Sequence, residues 1–221
     1  MDKIVIALDG PAGSGKTTIA KVLSKKLNIM YLNTGALYRA LAYKCIKNGL
    51  DATSTEVAEQ IAKNTDLKVE YKDGLQHVFV DGEDVTDKLS SDEVSIASSQ
   101  ISVHKEIRHK MVELQRHIAD KQSIIVDGRD IGSVVLPKAD FKFYLDADVS
   151  VRAERRYKEL VSKGSNISFE EVLKDMKERD YRDMTRDVSP LKKCADAIVI
   201  DCTNLGIGEV IEKFMEYIGR R

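Results

Sequence analysis

Residues Gly10 to Thr17 read G-P-A-G-S-G-K-T, a full match to G-x-x-x-x-G-K-[ST], and this motif works only between a strand and a helix. Both flanks are present. Lys3 to Leu8 is a short apolar run rich in β-branched residues, which predicts a buried parallel strand. From Thr18 to Leu27, residues Ile19, Val22, Leu23 and Leu27 recur at helical spacing. Glycine at 10, 13 and 15 frees the backbone to turn its N–H groups onto an anion at the positive end of a helix. Pro11, Ala12, Ser14 and Thr18 complete the loop, Lys16 can reach the outer phosphates, and Thr17 can offer a hydroxyl to Mg²⁺. The chain is therefore expected to bind a nucleoside triphosphate.

At 221 residues it can hold one α/β domain and a small insertion. A net charge of −1 gives no sign of general affinity for nucleic acid or anionic membrane, so positive charge for phosphate must be local. The N-terminus enters a strand within three residues and no apolar run reaches spanning length, so neither signal peptide nor membrane span is expected. Cys45, Cys194 and Cys202 are odd in number and lack metal spacing, which fits a reducing, cytoplasmic compartment.

The rest of the chain alternates between strands and helices. Thr34–Asn48 reads as a helix with Leu37, Leu41 and Cys45 on one face, stopped by Gly49. Thr53 to Glu56 reads as a capping box opening a helix to about Asn64. Leu67–Tyr71 and Gln76–Val80 are β-type runs joined through Lys72-Asp73-Gly74, with a second turn at Asp81-Gly82; together they predict an antiparallel meander over roughly 66–90. Ser90 with Glu93 predicts a cap for a helix near Val94–Ile101. Val103, Ile107, Met111, Leu114 and Ile118 mark one long helical face. Strands follow at Ser123–Val126, Phe141–Leu145 and Ala197–Ile200. Asp148 and Ser168 cap two helices, and Gly208–Ile218 closes the chain. This order predicts a parallel sheet covered on both faces.

A phosphate loop alone does not separate kinases from switch proteins or motors, and the arginines help to decide. Arg129 and Asp130 follow the strand that ends at Asp127, at the carboxyl end where open α/β sheets bind ligands. Arg39 lies one turn into the second helix. Arg152, Arg155 and Arg156 share a helix face, as do Arg179, Arg182 and Arg186, with Asp180, Asp183 and Asp187 one residue later. Two solvated helices laced by ion pairs would give the same spacing. Phosphoryl transfer, however, needs fixed positive charge around equatorial oxygens, which guanidinium supplies, and a closing segment that excludes water.

With these residues assembled, the chain resembles the bacterial cytidylate kinases of the nucleoside-monophosphate kinase group over essentially its whole length. The resemblance rests on Asp9 to Thr17, Thr34-Gly35-Ala36-Leu37-Tyr38-Arg39, Asp127-Gly128-Arg129-Asp130-Ile131-Gly132 and Lys177-Glu178-Arg179-Asp180. It implies a three-layer α/β P-loop kinase fold: a core over 1–65 and 100–221, an inserted monophosphate-side subdomain over 66–99 and a short lid over 152–167. It implies phosphoryl transfer from ATP, with Mg²⁺, to CMP and dCMP by a monomer. Thr34, Tyr38 and Arg39 would line the acceptor, with Arg39 and Arg129 on its phosphate. Ser99, Arg108, Asp130 and Arg186 would meet cytosine, and Arg179 and Asp183 the ribose. Lys16, Arg129, Arg155 and Arg179 would be the catalytic cations, Arg155 touching the transition state. Asp127 would orient a Mg²⁺-bound water.

The assignment of Asp130 has chemical sense, because cytosine's exocyclic amine can donate to a carboxylate where uracil presents a carbonyl. Asn33 departs from the acidic residue expected before the Thr-Gly pair, and Thr17 followed by Thr18 replaces serine- or glycine-containing versions of the motif, with the Mg²⁺ hydroxyl kept. Tyr38 could pack in the core or face a base, and Asp180 could neutralise arginines or touch ribose. The four histidines have no metal spacing and read as surface or packing residues. Rival readings are a P-loop kinase of UMP, AMP or shikimate, or a guanine-nucleotide switch. The switch lacks the Asn-Lys-x-Asp tetrapeptide it would need.

Overall fold

The computed structural model describes residues 3–219, which divide into two units, 3–29 with 124–219, and 30–123.

In the first unit, β1 (Val5–Asp9) pairs in parallel with β6 (Ile124–Gly128) on one side and β7 (Phe141–Asp146) on the other, and β7 pairs in parallel with β8 (Ile198–Asp201). Ile6, Ala7, Leu8, Ile124, Ile125 and Val126 are fully buried, as continuous β-branched runs in a parallel sheet require. The register sets Asp9 level with Gly128 and Tyr144, so the carboxyl ends of three strands finish together. Helix α1 (Lys16–Leu27) leaves β1 through the glycine loop, and α8 (Ile207–Ile218) closes the chain, with Phe214 packed on Phe143 at 4.3 Å between ring centroids. Helices α6 (Val149–Ser162) and α7 (Phe169–Thr185) pack through Ala153, Leu160, Val172 and Met176. Asp148 accepts from Ser150 N, and Ser168 with Glu171 forms a complete capping box, as the sequence predicts.

The second unit holds β2 (Met30–Asn33), α2 (Thr34–Lys47), α3 (Thr55–Asn64), α4 (Asp92–Ile101) and α5 (Lys105–Ala119). Between α3 and α4 lies an antiparallel meander, β3 (Leu67–Lys72), β4 (Leu75–Val80) and β5 (Glu83–Asp84). Its two turns are two-residue Asp-Gly pairs with positive φ at both positions, 51° and 74° at Asp73-Gly74 and 51° and 84° at Asp81-Gly82. This geometry matches the right-handed twist of the strands they join.

Three local expectations are corrected. The α3 cap is Ser54, which accepts from Val57 N; Glu56 bonds the Ser54 hydroxyl, so no Thr53 capping box forms. The α4 cap is Ser91 rather than Ser90, because Val94 must then sit three residues on, turned into the core. Val103 precedes α5 and is exposed; the buried face of that helix instead includes Arg108 and Gln115, polar residues that apolar periodicity cannot report.

Candidate active site

The loop between β1 and α1 is shaped by close approach. A Cβ on Gly10 would lie 2.1 Å from the backbone carbonyl oxygen of Leu145, and Gly13 and Gly15 sit at φ 72° and 92°. The backbone is thereby drawn against β7 and curled into a cradle only glycine permits. Lys16, the first residue of α1, is almost fully buried; its Nζ donates to Pro11 O at 2.6 Å and to Ser14 Oγ at 3.1 Å, which holds the ammonium over its own loop. Burial, and then the Arg129 charge, pull the Lys16 pKa well below its ordinary value, opposed by Asp127, Asp9 and Asp183. Phosphate oxygens are the ligand that relieves such a site.

Thr17 Oγ1 donates to Asp127 Oδ2 at 3.0 Å, which joins the first turn of α1 to the end of β6. A hydroxyl and a carboxylate side by side are hard oxygen donors of the kind that suit Mg²⁺, which takes few protein oxygens and keeps waters and substrate phosphates. The residues present fit the ion.

Beyond β6, Asp9 organises the chain. Its carboxylate is buried, and it accepts from Ile131 N and Gly132 N, both at 2.8 Å. Burial outweighs these two bonds and pushes its pKa up to about 6. A buried acid immediately before a phosphate loop was the signal available in the sequence, yet no role for Asp9 followed from it. In the structure it pins the π-helical turn Ile131–Val135, which carries the chain away from Arg129 and Asp130.

The arginines divide sharply. Arg129 donates from Nε to Asp183 Oδ2 at 2.9 Å and from Nη1 to Gly128 O at 3.2 Å. Burial raises the Asp183 pKa but Arg129, Arg179 and Arg186 together hold it below the usual carboxylate value. Arg186, whose side chain is 4% exposed, donates from Nε and Nη2 to Ser189 O, and its guanidinium lies 3.6 Å from Asp183 and 3.8 Å from Asp130. Arg129, Asp130, Asp183 and Arg186 are thus one network, partly exposed only at Arg129, rather than ion pairs on a solvated helix. Arg179 stands on α7 close enough for its charge to act on Asp183.

Arg152 is likewise buried. It donates from Nε to Ala147 O at 2.9 Å and from Nη1 to Ala12 O at 3.0 Å, and lies 2.7 Å from Asp180 Oδ2. It ties the phosphate loop to α6 and α7. Asp180 therefore neutralises an arginine, the first of the two roles open to it, and its Oδ1 has no hydrogen-bond partner. Arg155 donates from Nη2 to Cys202 O at 2.8 Å, and Cys202 Sγ in turn donates to Ser14 O at 3.3 Å. Arg156 pairs with Glu159 on the more exposed side of α6.

In the second unit, Asn33 caps α2, its side chain accepting from Ala36 N at 3.1 Å. Asparagine does at this position what an acidic residue would do as a cap. Thr34, Tyr38 and Arg39 occupy the first turns of α2, and Thr34 is buried. Arg108, 1% exposed, donates to Ser102 O at 3.2 Å and lies 5.5 Å from the Tyr38 ring centroid, a cation–π distance. Ser99 is buried on α4.

The family model described as "Cytidylate kinase" matches residues 6–220. A cytidylate kinase of Clostridioides difficile (strain 630) is 48% identical over 218 residues, with 99% of each chain covered. Those of Caldicellulosiruptor saccharolyticus and Bacillus subtilis (strain 168) are 45% and 42% identical, covering 98% and 99% of this chain and 96% and 98% of theirs. Among solved structures, a gluconokinase of Sinorhizobium meliloti 1021 aligns with a TM-score of 0.52 at 12% identity, covering 98% of this chain and 92% of its own. A shikimate kinase of Bacteroides thetaiotaomicron aligns with 0.51 at 10%, covering 98% of each; at such identities the likeness is of fold.

Proposed function

The chain belongs to the cytidylate kinase family, and we propose on that premise that it moves the γ-phosphoryl group of ATP to CMP and dCMP, giving ADP and CDP or dCDP. The observation that carries this reading is the family match over residues 6–220, which takes in every residue argued for below. In the reaction an oxygen of the acceptor phosphate bonds to the γ-phosphorus while the bridge to the β-phosphate breaks. Both groups are anionic at neutral pH, so no general base is needed and the protein's work is placement and charge.

Each residue then has a task. The loop amides from Gly10 to Thr18 cradle the donor phosphates, and Lys16, already held over the loop, follows charge toward the transferring group. Thr17 and Asp127 would hold Mg²⁺, Asp127 by way of a water, and the ion would supply neutralising charge for the outer phosphates. Arg129, kept rigid by Asp183, binds the acceptor phosphate with Arg39, while Arg179 and Asp183 meet the ribose. Asp130, Arg186, Ser99 and Arg108 are assigned to cytosine, and Thr34 and Tyr38 to the acceptor nucleotide. Residues 152–167 close as a lid whose fixed end is Arg152, and Arg155 exchanges Cys202 O for the transition state. Free cysteines and a family of bacterial enzymes support a cytoplasmic setting.

The test is an acceptor panel with ATP, reading ADP release from CMP, dCMP, UMP, AMP and shikimate. CMP and dCMP should lead by tenfold or more, which corresponds to about 1–3 kcal/mol of base discrimination. A greater kcat/KM for any other acceptor would overturn the reading.

A further inference from the structure

Tyr71 and Gln76 face each other across the β3–β4 hairpin, and both reach out of the meander to the backbone of β2. The Gln76 amide makes two bonds with one residue: its Oε1 accepts from Asn33 N at 2.7 Å, and its Nε2 donates to Asn33 O at 3.2 Å. The Tyr71 hydroxyl donates to Tyr31 O at 3.1 Å. Tyr31 and Asn33 alternate along β2, so these backbone groups point the same way. One side-chain amide therefore does for Asn33 what the peptide group of a neighbouring strand would do.

The held residue has consequences for its neighbours. Asn33 is the N-cap of α2, and its Oδ1 is held by the bond from Ala36 N, in space that the missing side chain of Gly35 leaves open, since a Cβ there would lie 3.2 Å from it. Turning the Asn33 peptide moves the cap, and moving the cap moves the first turns of α2, where Thr34, Tyr38 and Arg39 stand.

We propose that Gln76, seconded by Tyr71, is a positioning residue for the acceptor. The meander is a brace whose hairpin clamps the Asn33 peptide and thereby sets α2 for the monophosphate. This rests on the acceptor role assigned above to Thr34 and Arg39. Gln76 touches neither substrate, and nothing in its bonds bears on the donor loop, so the signature is a one-sided kinetic change.

The test compares full-length wild type with Gln76→Met, which keeps the length of the side chain and removes both bonds, and with Tyr71→Phe. Steady-state kinetics are read with each substrate varied, and amide hydrogen exchange is read at residues 33–36. Gln76→Met should raise KM for CMP about five- to twentyfold, leave KM for ATP within twofold, and speed exchange at 33–36 in the free protein. Tyr71→Phe should show the same pattern at two- to threefold. Unaltered exchange would overturn the clamp. Faster exchange with an unmoved KM for CMP, or equal rises in both KM values, would overturn its acceptor role. Wild type that does not use CMP at all would sink the functional reading instead, with the exchange result still judging the clamp.

Discussion

Arg152→Met separates two pictures of the α6 arginines. The family resemblance puts Arg152 at the start of a lid, whereas the structure buries it between Ala12 O, Ala147 O and Asp180. At 2.7 Å from Asp180 the gross attraction is about 6 kcal/mol at an effective dielectric of about 20, much of it offset by taking both charges out of water. Removing one partner forfeits the attraction but keeps the other partner's desolvation, a loss of about 3–5 kcal/mol for a buried pair. Asp180 is a severe case, because its second oxygen already has no partner. For a chain of this size the midpoint of thermal unfolding should fall by roughly 10 °C. Adding Asp180→Asn removes the stranded charge, so the double variant should be more stable than the sum of the two single losses by about 1–3 kcal/mol. KM for ATP should rise several-fold in Arg152→Met, since the Ala12 carbonyl loses its donor. Urea unfolding of the four proteins in the cycle checks this. A loss below about 1 kcal/mol with strict additivity would mean that Arg152 is a solvent-facing lid residue after all.

Other perturbations address the chemistry directly. Lys16→Ala should lower turnover a hundredfold or more, about 3 kcal/mol of transition-state stabilisation, while circular dichroism stays that of wild type; unchanged turnover removes Lys16 from catalysis. Asp130→Ala should flatten the ratio of kcat/KM between CMP and UMP, and a preserved ratio would take Asp130 out of base recognition. For Asp9, whose folded pKa of about 6 lies above the ordinary 3.8, the ionised form is the disfavoured one in the native state. Its contribution to stability is therefore full below about pH 4 and is lost as pH rises through 6. Relative to Asp9→Asn, wild type should gain about 2–3 kcal/mol between pH 7 and pH 4, read by urea unfolding across that range. A stability difference that does not vary with pH would refute the buried-carboxylate account.

How legible the chain was depended on the range of the interactions involved. The phosphate loop, the order of strands and helices, the two Asp-Gly hairpin turns and the Asp148 and Ser168 caps are written in neighbouring residues. Each is decided by φ preference, by periodicity or by a bond two or three positions away. The failures at Thr53 and Ser90 were slips of one residue in the same kind of signal, resolved only when Val57 and Val94 had a core to face. Arg152, Arg155 and Arg156 read alike from spacing, yet one is buried, one rests on Cys202 and one pairs with Glu159. Helical spacing tells which residues share a face but not what that face meets.

The local code of this sequence was sufficient for an α/β chain with a triphosphate cradle, because glycine stereochemistry and apolar period act over a few residues. Tertiary packing alone could decide that Asp9 pins residues 131 and 132, that Asp183 stiffens Arg129, and that Gln76 holds the peptide before α2. Those bonds join positions 43 to 123 residues apart. Their formation depends on burial and on exact distance, which no pattern along the chain records.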